Sequence, residues 1–123
     1  MNTDGINAVT SKAVVLYAIG QPHAAAAHIQ AVMTERADAL TAATGLALLV
    51  TGNEPAVWDI IGLPTLRHRR AAPVVTHLLA LARGHHHGGL YQLWDQLPAP
   101  VAGDVLAVLL AMAGAAACHP EWN

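Results

Sequence analysis

The densest group of side chains able to do chemistry is His85-His86-His87, flanked by Gly84 and by Gly88-Gly89. Neutral imidazoles ligate zinc or nickel, so the run resembles a metal-binding tract. Three adjacent residues on one loop reach a single tetrahedral ion poorly, however, and no cysteine or carboxylate lies close by in sequence. The tract reads as a polar, solvated loop, with a small metal-binding protein or metal-dependent enzyme as the alternative. The other histidines are no better grouped. His23 and His28 are five apart rather than the three or four that would share a helix face. His77 falls within an apolar helical pattern and reads as a core or boundary histidine, and His119 beside Glu121 reads as tail. Ser11 is the only serine, and Cys118 stands in an alanine-rich segment where a thiol is ordinarily inert. No nucleophile, base and acid fall at a recognisable spacing, so no catalytic residue and no cofactor are assigned.

Two other features point to binding. Arg67, Arg69 and Arg70 surround His68 in the densest run of positive charge. Their guanidinium forks suit an acidic segment or a phosphate, against the plainer reading of a solvated connector. Trp58 and Trp94 sit at helical core spacing, whereas Trp122, in Pro120-Glu121-Trp122-Asn123, is a candidate anchor for a partner.

The elements that carry these residues are helical. The 123 residues are 54% apolar, but alanine dominates that share and phenylalanine is absent, which favours helix over strand. A net charge of −2 with no basic stripe argues against a nucleic-acid binder. A lone cysteine forms no internal disulfide, and a cytoplasmic setting is the default. A membrane span is not expected: Asp104 leaves only Val105 to Cys118 uncharged, fourteen residues, against the roughly 20 that a bilayer requires. The apolar run within Ala13–Ala27 follows a segment in which Asp4 balances Lys12, unlike the positive start of a signal peptide.

Apolar segments end in glycine at Gly20, Gly52 and Gly84, at a spacing of 32 residues each time, and a fourth ends at Gly114 after 30. Periodicity predicts helices over Asn7–Ile19, Pro22 to about Arg36, Asp38–Thr51, Pro55–Ile61, Pro73–Arg83, Leu90–Leu97 and Val101 to about Ala117. Asp4 or Asn7 is the expected cap of the first and Asp38 that of the third. Leu66–Ala72 reads either as a helical turn or as a charged connector, because Pro73 disfavours helical geometry at Ala72. The fold expected is all-α, without a sheet: one domain over residues 1–123, as a helical-hairpin array or a compact bundle of about six to seven helices.

Within the first unit, Leu16, Tyr17, Gly20, Ala25, Ile29 and Val32 fall near the spacing of a tetratricopeptide repeat. The segment over residues 7–37 resembles that family, whose unit is about 34 residues. Later units depart from it, with Val57 and Gly89 at the small-residue position. The resemblance implies a scaffold that binds another polypeptide and carries over no catalytic residue.

The last helix adds a second indication. Val105, Leu106, Val108, Leu109, Leu110 and Met112 make it apolar nearly all round, so every side must be covered. Either it is the centre of a bundle or a second chain covers it. The second option makes Leu106 and Leu110, with Trp122, an interface, and the chain a non-catalytic interaction or assembly module that self-associates or binds a partner polypeptide.

Overall fold

The computed structural model describes the backbone over residues 2–50 and 66–118 and the side chains over 2–50 and 70–117. The helix expected at Pro55–Ile61, with Gly52 and Trp58, lies outside these residues. Among those described there are six α-helices and no strand.

Helix α1 spans Thr3–Ala18 and begins before the expected Asn7, because Asn2 is its cap: the Asn2 side chain accepts the Gly5 N–H at 2.8 Å. Asp4 in the first turn complements the helix dipole. At the other end Gly20 takes φ +87°. The Gln21 N–H reaches back to the Leu16 carbonyl at 2.9 Å and the Gly20 N–H to that of Tyr17 at 3.1 Å, a Schellman closure. Helix α2, Pro22–Ile29, opens with proline in its first turn, where the missing N–H costs nothing. It is shorter than expected. The chain tightens into a 3-10 turn over Gln30–Val32, with the Met33 N–H bonding the Gln30 carbonyl, and Val32 is buried there.

Helix α3 covers Arg36–Val50, with Asp38 in its first turn rather than at its cap. Helix α4 covers Leu66–Arg83 and runs straight through Pro73. Of the two readings of Leu66–Ala72 the helical one holds: Pro73 is exposed while Ala71, Val75, Leu78, Leu79 and Ala82 are buried, so core packing on either side outweighs one lost helical hydrogen bond. Helix α5 spans His87–Gln96, and α6 spans Ala99–Cys118.

Helix α6 is the hub. It packs against α1, α3 and α4, and Val105, Leu106, Val108, Leu109, Leu110 and Met112 are all buried. Repeats in an open stack touch only their neighbours. Here the last helix touches the first, so the chain closes into a bundle. By length and mean hydropathy (1.8), Ala99–Ala117 is long and apolar enough to cross a membrane, contrary to the fourteen-residue reading, but 61% of that stretch is buried within the bundle.

Of the spaced glycines described, only Gly20 closes a helix. Gly114 lies inside α6 facing Tyr17, where a Cβ would stand 2.4 Å from Tyr17 Cδ1 and 3.0 Å from its Cβ. The missing methyl lets α1 and α6 approach.

Gly114→Ala should therefore cost about 1–3 kcal/mol, as overpacking does, in urea unfolding, with part of the loss recovered when Tyr17→Ala is added. Pro73→Ala should act in the opposite sense. Restoring the N–H at an exposed helical position should raise stability by about 1–3 kcal/mol, read from the same midpoint.

Candidate binding groove

Of the residues expected to contact a partner, the side chains of Leu106, Leu110 and Arg70 are described. Leu106 is 1% exposed and Leu110 3%, both covered by this chain's own helices, so the expected docking face on α6 is core. An alanine-rich bundle lets its helices approach closely enough to cover the large apolar side chains of α6, and the strip left open carries only small or polar residues, Gly103, Asp104, Ala107 and Ala111. Arg70 is exposed on α4. The side chains of Arg67 and Arg69, and all of Trp122, lie outside the described residues.

The histidine tract is a helix connection. His85 takes φ +57°, one residue beyond the Gly84 expected to close the helix. The His86 N–H donates to Leu81 (3.0 Å) and the His85 N–H to Ala82 (3.1 Å), the same closure that ends α1. His87 then begins α5. Among the described residues no three histidine, cysteine, aspartate or glutamate side chains are placed to share an ion. His77 is exposed, not a core or boundary residue.

A different place in the fold is concave. A furrow runs between α3 and α5, in two compartments of about 310 and 180 Å³ that share Ala37, Leu40 and Tyr91. From α3, Ala37, Leu40, Thr41, Thr44, Gly45 and Leu48 line it, recurring every three or four residues. From α5, His87, Leu90, Tyr91, Trp94 and Asp95 do the same. Asn7 of α1 completes the larger compartment. Both helices thus turn one continuous stripe toward the gap.

The furrow is more apolar than its residue types suggest. Thr41 Oγ1 donates to the Ala37 carbonyl at 3.1 Å and Thr44 Oγ1 to that of Leu40 at 2.9 Å, so both hydroxyl protons are used within the helix. Leu40 and Leu90 are buried in the walls, while Leu48 (53% exposed) and Tyr91 (65%) stand in solvent beside them. Gly45 has nothing within 4 Å of where a Cβ would be. Glycine inside a helix costs about 1 kcal/mol relative to alanine, and no contact among the described residues demands it here.

One end of the furrow is fixed by a reciprocal clasp. Arg36 donates to the carbonyls of Trp94 and, at 2.7 Å, of Leu97, while Trp94 Nε1 donates to the Arg36 carbonyl at 3.1 Å. Helix α5 has no basic residue in its own last turn, so a guanidinium from 58 positions earlier in the chain neutralises its C-terminal carbonyls. Trp94 is legible from spacing as an anchor. Arg36 is not, because its partners are backbone atoms distant in sequence. Gly45 was the available signal for the furrow: an unbroken helical pattern with a glycine inside it.

Since Leu106 and Leu110 are core, Leu106→Glu and Leu110→Glu should each cost more than about 4 kcal/mol through a buried unpaired carboxylate. Loss of the cooperative circular-dichroism melt is the expected result, rather than a folded chain of altered mass.

No protein-family model, no curated protein and no solved structure matches the chain.

Proposed function

We propose that this chain is a non-catalytic polypeptide-binding module that seats an amphipathic helix of another protein in the furrow between α3 and α5. The observation that carries this reading is the pair of facing stripes, Leu40-Thr44-Leu48 on one wall and Leu90-Tyr91-Trp94 on the other, with open space over Gly45 between the larger side chains. A groove between two helices, with apolar walls and an exposed aromatic at its edge, suits a third helix presenting apolar residues every three or four positions. Among the described residues its larger compartment is lined by no carboxylate, cysteine or lysine and by one imidazole, that of His87, and the smaller adds Asp95 and Arg36, the latter bonded to backbone carbonyls, which favours recognition over catalysis. This reading keeps the expected class, a protein-interaction module, and moves its surface from α6 to the furrow.

The test is a selection from displayed amphipathic helices of about four turns, roughly 15 residues, against the untagged chain. Helices with micromolar dissociation constants are expected. Gly45→Met, which fills open space, and Tyr91→Ala, which removes an exposed ring, should each weaken them at least about tenfold, with thermal unfolding of the chain not lowered by more than a few degrees. Binders indifferent to both substitutions would place recognition elsewhere and overturn the proposal. A mass in light scattering that doubles with concentration, and returns to one chain in Gly45→Met, would identify the occupant as a second copy instead.

A further inference from the structure

We infer that α5 is a latched arm: it opens away from the furrow as a unit while the rest of the bundle stays folded, and the Arg36 clasp on its C-terminus is the latch. The inference concerns the free chain, so its test stands apart from whether a partner helix binds.

Helix α5 has little to hold it on its own account. At ten residues it is below the length at which isolated helices persist in water, about 12–15 residues. Gly88 and Gly89 fall in its first turn, where each lowers helix propensity, and no side chain caps its N-terminus. No acid occupies that first turn and no base the last. The joints at either end are turns rather than continuing helix. Gly84–His86 enters it through the left-handed His85, and the extended Leu97, followed by Pro98, leaves it.

What restrains it is concentrated in few groups. Leu90, Trp94 and Leu97 are buried, and α5 packs mainly against α4, with fewer contacts to α3. The hub α6 is held from three sides. Among the described residues, the side-chain hydrogen bonds that tie α5 to another element converge on Arg36. Stability in such a structure is not uniform, and an element joined by turns and tied at one end is the natural unit of partial opening. Tyr91 belongs to both compartments and would leave with the arm. Opening thus takes the α5 wall away from both compartments and bares the α3 stripe, so a partner helix longer than either compartment enters before α5 closes over it.

Native-state hydrogen exchange on the full chain decides the matter. Amides over residues 90–97 should exchange at least about tenfold faster than those over 105–113, with a shallower dependence on sub-denaturing urea. Arg36→Met keeps most of the aliphatic stem and removes the donors. It should speed the α5 set at least about another tenfold, while the α6 set moves much less, and Arg36→Lys should fall between. A single rate and a single urea slope for both sets in the unsubstituted chain would overturn the arm. Equal acceleration of both sets by Arg36→Met, or failure of that variant to fold, would overturn the latch.

Discussion

Covering the broad apolar face of α6 is the constraint on which the other elements depend. A helix carrying Val105, Leu106, Val108, Leu109, Leu110 and Met112 over more than half of its circumference cannot turn that face to water, and three helices pack against it. Helices α1, α3 and α4 supply those faces. Each presents small residues alongside larger ones: Ala13 beside Val14, Ala43 and Ala47 beside Leu46, Ala82 beside Leu78. Small side chains bring the axes close, and Gly114 under the Tyr17 ring is the extreme case. The alanine-rich composition is thus the means of enclosure as well as a source of helix propensity.

Helices α2 and α5 lie outside that enclosure and are secured differently. Helix α2 packs on α1 as the second arm of a hairpin whose turn is set by Gly20 and Pro22. Helix α5 relies on Trp94 and on the Arg36 clasp, a polar arrangement in which each residue satisfies backbone groups of the other's helix. The furrow exists because α5 meets α3 closely at this clasp and leaves a gap along the rest of its length. Strength at one end and space along the remainder are two results of the same contact.

The described helices were legible from period and composition, and so was the burial of Trp94 at helical core spacing and of the apolar run over residues 105–112. Boundaries were less legible where the deciding partner was polar or remote. The side chain of Asn2 moved the start of α1, and packing around Pro73 carried α4 through a residue that ordinarily breaks helices. Equal glycine spacing proved a mixed signal, since Gly20 turns the chain and Gly114 admits a neighbouring ring. An all-round apolar helix demands cover, but hydropathy carries no label for whose chain supplies it, and so Leu106 and Leu110 were read as interface. The furrow was hidden for a related reason. It is defined by where α3 and α5 stand relative to each other, and the residues on its walls look in sequence like an ordinary helical stripe interrupted by Thr41, Thr44 and Gly45.

The place of the hub in the chain has a consequence for synthesis. The core-forming stretch over residues 105–113 follows all three helices that enclose it, so α1, α3 and α4 emerge from the ribosome before the segment they are shaped to surround. Contacts between α1 and α6 span about a hundred positions, so this part of the core closes late in a class of chain whose folding is ordinarily fast because contacts are local. Helices and hairpins can form as they are made, but their apolar faces stay open until α6 arrives. During that interval the nascent chain offers the same surfaces to chaperones or to other nascent copies that it later closes around its last helix.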